Sequence, residues 1–112
     1  MLSQALDQAR EIGVRFALPQ EMGWFAEAQL QAGNLDVARS TALQALRLAM
    51  EQDARGCGAW ILRLQGEIAA AQGESAEARE RFEAALQQAR SLEMLPLVAQ
   101  CQGDIRALSA VA

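Results

Sequence analysis

Gln72-Gly73-Glu74-Ser75-Ala76-Glu77-Ala78, followed by Phe82, Ala85, Leu86 and Ala89, is the stretch whose reading decides the fold. It reads as the end of one helix and the immediate start of another. Gly73 takes the left-handed backbone conformation that closes a helix without a Cβ penalty. Ser75 is expected to cap the next helix, its hydroxyl accepting from a free first-turn N–H. Ala78, Phe82, Ala85, Leu86 and Ala89 recur at i, i+4, i+7, i+8 and i+11, one apolar stripe along a helix. A turn this short sets the two helices antiparallel and side by side.

The same unit stands 40 positions earlier, where Gly33, Ala38, Leu46 and Ala49 match Gly73, Ala78, Leu86 and Ala89. A further step of 40 stays in register. Ala5, Leu6 and Ala9 match Ala45, Leu46 and Ala49, giving three copies of Ala-Leu-x-x-Ala. The intervening helices correspond more weakly: Met22, Leu62 and Gln102 share one place, and Phe25, Gln65 and Ile105 another. A fixed period of this size marks stacked helical hairpins.

Taken in order, six helices are expected, at about Leu2 to Ile12, Pro19 to Ala32, Leu35 to Gln52, Ala59 to Gln72, Ala76 to Leu92 and Pro96 towards Ala110. Asn34 or Asp36 is expected to cap the third. Arg55-Gly56-Cys57-Gly58 reads as the clearest break, a two-glycine loop. Neither sustained period-2 alternation nor a hairpin dipeptide signals a strand. Residues 1–112 therefore read as a single all-α domain. The chain opens on what should be the second helix of a hairpin and closes on the first helix of another, so it reads as a fragment of a larger protein.

The fourth expected helix shows how such an element shares its surface. Leu62, Gly66 and Ala69 form a stripe for the hairpin partner, and Ile61, Leu64 and Ile68 one for a neighbouring hairpin. Gly66 costs about 1 kcal/mol of helix stability relative to alanine. Close approach of the partner helix near Phe82 is the expected compensation. Trp60, Arg63, Glu67 and Ala70 are left for solvent or a ligand. Leu6, Leu46, Leu86 and Phe82 are expected to be buried on the second helices.

Of the 112 residues, 52% are hydrophobic, which excludes general disorder, but much of that fraction is alanine. Alanine lets helices approach closely while burying little area, so a thin core is expected. The formal charge of −4 argues against a nucleic-acid surface, which needs clustered basic residues. No run of about 20 apolar residues is present to span a membrane, and Met1-Leu2-Ser3-Gln4 does not open a signal peptide. The expected location is the cytoplasm. Cys57 and Cys101 fit neither a disulfide framework nor a metal cluster, and no cofactor is implied.

Catalysis finds no support. Histidine, tyrosine and lysine are all absent, which removes the usual general base and the commonest metal ligand. The five serines lack a base for a hydrolytic triad. Glu74, Glu77, Glu80 and Glu83 step by three around one helix face and read as solvated charges that complement the helix N-terminus. The chain is not expected to be an enzyme.

Gly66, the turn glycine Gly73, and Ala78-x-x-x-Phe82 followed by Ala85 resemble the tetratricopeptide repeat, and Gly33, Ala38 and Ala45 repeat part of that pattern. The family's signature tryptophan, leucine, tyrosine and proline fall on Leu62, Gln65, Ala69 and Arg90, so four positions depart. The period is 40 rather than the family's 34, with the extra residues expected near Asp53 to Gly58 and Glu93 to Val98. Longer repeats of this kind look like those in the C-terminal regions of large bacterial regulatory and signalling proteins. The resemblance covers nearly the whole chain and implies a short right-handed α-solenoid.

It also implies a protein-interaction scaffold whose concave, first-helix face takes a peptide or partner domain. The corresponding residues here are Gln20, Glu27, Trp60, Arg63, Glu67 and Gln100. Trp60 offers an apolar plate and Arg63 a fork for a carboxylate. Glu27 and Glu67 favour a partner with some positive charge. Two alternatives stay open. Trp60 packs instead against the preceding hairpin near Trp24, with Arg63 merely solvated; or the whole segment is a spacer or self-association element. In the latter reading a homodimer forms through the terminal helices, where Leu2, Leu6 and Ala9, and Ile105, Leu108 and Val111, expose apolar surface.

Overall fold

The structure, a computed structural model, describes residues 18–111, with side chains to Ser109. The expected helix over Leu2 to Ile12, and with it Leu6, lies outside the described residues. Five helices follow: α1 (Leu18–Gln31), α2 (Leu35–Glu51), α3 (Arg55–Ala71), α4 (Ser75–Ser91) and α5 (Leu95–Val111). The described residues contain no strand, and none of their helices is long and apolar enough to cross a membrane.

Four three-residue turns join the helices, and they fall at 32–34, 52–54, 72–74 and 92–94, spaced by 20 residues. Each is built the same way. The middle residue has a left-handed backbone: Gly33 at φ 85°, Asp53 at 54°, Gly73 at 80° and Glu93 at 57°. The next residue donates its N–H five positions back, Asn34 to Gln29, Ala54 to Ala49, Glu74 to Ala69 and Met94 to Ala89, at 2.8–2.9 Å. The paired bond runs from the left-handed residue three positions back, at 3.1 Å in all four turns. Together these are Schellman closures, which satisfy carbonyls that the helix end leaves free.

The same third residue then starts the next helix. Its carbonyl accepts from the residue four ahead, as in Ala78 N–H to Glu74 O at 2.9 Å. Glu74 is therefore the N-cap of α4, without a side-chain capping bond, and Ser75 is the first helical residue rather than the cap expected from its hydroxyl. A turn of three residues leaves no room to place the cap later. Asn34 caps α2 by position only; its amide donates instead to Gln29 Oε1 at 2.7 Å.

The two-glycine loop expected at Arg55-Gly56-Cys57-Gly58 is a further correction: these four residues are the first turn of α3. The chain reverses just before them, on Asp53. At buried Gly58 an added Cβ would meet only Leu46 Cδ1, at 4.0 Å and in ordinary contact, so no close approach requires this glycine. Of the stretches Asp53 to Gly58 and Glu93 to Val98, the first two residues of each lie in a turn and the other four begin α3 and α5.

Sequential packing joins each helix to the next, and α1 also touches α3. Overall extents are 45 × 31 × 18 Å; the thinnest dimension matches two helix layers of about 10 Å each. The second helices bury one stripe twice: Ala38, Ala42, Ala45 and Ala49 on α2, then Ala78, Phe82, Ala85 and Ala89 on α4. Leu46 and Leu86, expected to be buried, are only partly so. They flank the alanines by one residue, about 100° around the helix, and the alanines take the centre because they allow closest approach.

On α3, Ile61, Leu64 and Ile68 face the preceding hairpin, in one cluster with Leu18, Met22 and the α2 alanines. Leu62 and Ala59 face α4 and α5, and Ala69 packs with Ala78 and Phe82. Gly66 lies under the Phe82 ring, where an added Cβ would stand 2.5 Å from Cδ1. This division of the α3 surface is the one the two stripes predict.

Candidate functional site

The six residues singled out from the sequence lie on α1, α3 and α5, the first helix of each hairpin in the repeat phase. Gln20 and Gln100 are exposed; Glu27, Trp60, Arg63 and Glu67 are half-buried. Each has a different environment, set by what the neighbouring first helix presents.

Trp60 lies over Gly23 of α1. A Cβ at Gly23 would collide with the Trp60 ring at Cζ3, so the glycine is the space the indole fills. The packing alternative for Trp60 therefore describes its ring, with one change of neighbour: the contact is Gly23, while Trp24 turns outward and is 54% exposed.

Arg63 is the centre of a polar cluster across the helices. Its Nε donates to Asp104 Oδ2 at 2.6 Å and its Nη2 to Asp104 Oδ1 at 3.3 Å, a fork-to-fork pair between α3 and α5. Nη1 lies 3.5 Å from Glu67 Oε1, one turn along the same helix. The fork expected to await a partner's carboxylate is thus occupied within the chain. Burial lowers the Arg63 pKa, but the hydrogen bond to Asp104 and the charges of Glu67 and Asp104 outweigh it and leave it raised.

Burial holds the Glu67 carboxyl above the ordinary carboxylate range; Arg63 opposes the shift, and Asp104 and Glu27 add to it. Two carboxylates, Glu67 of α3 and Asp104 of α5, therefore hold the Arg63 guanidinium, and Glu27 of α1 is near enough to Glu67 to raise it. Asp104 was not found by sequence reasoning, because its place in the period is shared with Leu64 and Trp24, which carry no charge. The signal available was its position 41 residues beyond Arg63. That spacing sets two residues side by side on adjacent first helices.

Two recesses open elsewhere. One is an apolar groove of about 680 Å³ between α2 and α4, floored by Leu46, Ala49, Leu62 and Ala84, with Met50 and Leu92 at its mouth. The other is polar. There Arg39 of α2 donates to Gln72 Oε1 at 2.7 Å and Glu77 Oε1 at 2.9 Å, tying α2 to the turn before α4 and to the first turn of α4 itself. Neither was legible in the repeat pattern, since both lie between elements 30 or more residues apart.

Burial pushes the Cys57 thiol up; Cys101 is raised by burial first, with Asp104 adding and Arg63 opposing. Raised thiols stay protonated and weakly reactive. Among the described residues no group of three or more His, Cys, Asp or Glu is placed to hold a metal ion. Compared with known proteins, the chain matches no family model, and a search of curated proteins finds no match.

Proposed function

We propose that the chain is a short right-handed α-solenoid similar to tetratricopeptide repeats, and that it serves as a protein-interaction scaffold, as in bacterial regulatory proteins. The spacing of the turns and the stripe repeated on α2 and α4 support the solenoid. In this reading the first-helix face of α1, α3 and α5 takes a peptide or partner domain, with Gln20, Glu27, Glu67 and Gln100 as contacts and Trp60 and Arg63 as fixed parts of the floor.

The observation that carries the reading is the polar cluster. Glu27, Glu67 and Asp104 outnumber Arg63 on a half-buried face. Such a face favours a partner whose lysine or arginine side chains neutralise the excess. The partner should be captured by the wild-type chain, lost on Glu27→Gln/Glu67→Gln, and released as salt rises. A captured partner indifferent to both the double substitution and salt removes this face as the site.

One observation favours the second reading, a self-association element without separate ligand. Met50 is 71% exposed at the mouth of the apolar groove. A solution mass of twice the chain, reduced to one chain by Met50→Glu, together with no captured partner, selects that reading instead.

A further inference from the structure

Ile105 and Leu108, expected to be exposed, pack onto the Phe82 cluster. Exposed apolar side chains gather instead on α2, which carries Val37, Leu43 and Met50, the last two 41% and 71% exposed. Leu43, half-buried Leu46 and Met50 stand at i, i+3 and i+7, a second apolar stripe beside the buried alanines. The repeat does not require this stripe, since 40 residues on α4 has Glu83, Leu86 and Arg90 at the same places. α2 is also an inner helix, with α1 before it and α3, α4 and α5 after it.

The stripe borders a groove whose other wall is α4 and whose floor is α3. One part is the apolar recess of about 680 Å³ at Leu46, Met50, Leu62 and Ala84; ligand sites commonly measure about 300–1,000 Å³. One helical turn along each of the three helices lies a smaller recess of about 80 Å³, lined by Arg39, Leu43, Gln65, Ile68, Glu77 and Arg81. Two groups there lack partners. Gln65 Oε1 is buried without a hydrogen bond, at a place in the period that Phe25 and Ile105 fill with apolar side chains. Arg81 is half-buried and, among the described residues, makes no ion pair. The other charges lining the two recesses are matched, Arg39 with Glu77 at 2.8 Å and Arg55 with Asp53 at 3.2 Å. The groove therefore holds one unmatched cation, a turn away from an apolar recess.

We propose that the groove between α2 and α4 docks an amphipathic helix of a partner protein, its apolar stripe in the recess at Leu46 and Met50 and an aspartate or glutamate on Arg81. The walls are helices whose backbone groups are bonded within themselves, so an extended peptide would leave its own N–H and C=O groups unpaired there. A helix brings a backbone already satisfied and is held through apolar residues at i, i+3, i+4 and i+7. Ala84 and Gln88 follow Arg81 by three and seven residues, about 5–10 Å along the axis. The carboxylate accordingly stands one to two turns from the main apolar anchor. It meets a partly desolvated guanidinium, and a charge-assisted hydrogen bond of this kind is about twice as strong as a neutral one. The groove lies in the second-helix layer, so this proposal stands or falls apart from the reading of the first-helix face.

The test selects binders to the whole chain from a library of displayed peptides of about 16 residues, enough for four helical turns. Selected peptides should share apolar residues at helical spacing, with an aspartate or glutamate one to two turns away. Synthesised singly, they should bind at least about tenfold more weakly to Arg81→Glu and to Met50→Glu. Exchanging the peptide's acid for lysine should restore affinity for Arg81→Glu. Met50→Glu, at an exposed position, serves if Arg81→Glu does not fold. A selection without binders, or binders that lack the acid or are indifferent to both substitutions, overturns the proposal. A solution mass of two chains that falls to one on Met50→Glu overturns it as well, since it gives the groove to a second copy of the chain.

Discussion

Gly66 and Gly103 show how little residue type says without its surroundings. Both are helical glycines, on α3 and α5. At Gly66 an added Cβ would lie 2.5 Å from the Phe82 ring; at Gly103 nothing lies within 4 Å. Gly66→Ala should therefore cost about 1–3 kcal/mol by overpacking, whereas Gly103→Ala should add about 0.5–1 kcal/mol through helix propensity. Urea midpoints of the two variants, read side by side, check both signs. Glu67 carries a prediction of a different kind. Its carboxyl is raised by burial, so the folded state holds its proton more tightly than the unfolded one. The sign follows: stability falls as pH rises from the ordinary carboxylate value through the raised one, and the cost persists at neutral pH. Glu67→Gln should accordingly be at least as stable as the parent at pH 7, and lose that advantage in acid. A parent that is the more stable of the two at pH 7 would show that the Arg63 pairing outweighs burial.

The helices owe their limits to one closure used four times. A left-handed residue is cheap when it is glycine and costs about 1–2 kcal/mol when it is another L-residue. Gly33 and Gly73 fill that place in the turns within hairpins; Asp53 and Glu93 fill it in the turns between them. Glu93→Gly should thus stabilise by up to about 1 kcal/mol, the greater freedom of glycine in the unfolded chain offsetting part of the relief. Gly73→Ala should destabilise by about 1–2 kcal/mol. Thermal melts of the pair measure the difference, and equal melting temperatures would contradict the shared geometry. The glycine turns were legible because glycine announces the conformation. The Asp53 and Glu93 turns were not, since nothing local in either residue demands φ > 0, and Gly56 and Gly58 drew the expected break four residues too late.

For the whole molecule the question is what holds first helix to first helix. Beside the shared apolar clusters, α1 and α3 are joined by an indole over a glycine, and α3 and α5 by the Arg63–Asp104 fork. Trp60→Ala should cost about 3 kcal/mol, since truncation empties the space over Gly23. Denaturant unfolding measures it, and an unchanged midpoint would mean the ring adds nothing beyond its exposed edge. Read alone, the residues determined what depends on short range and on the repeat. The helical class, the reversals at Gly33 and Gly73, the two apolar stripes of α3 and the need for a glycine near Phe82 all follow from periods of 3.6 and 40. Tertiary structure decided the rest. It placed the alanines rather than Leu46 and Leu86 at the centre, paired Arg63 with Asp104, set Trp60 on Gly23 and put Asp53 and Glu93 into left-handed turns. Each of these rests on the spacing between helices, and that spacing is set by side chains about 20 to 40 residues apart meeting face to face, which no local pattern encodes.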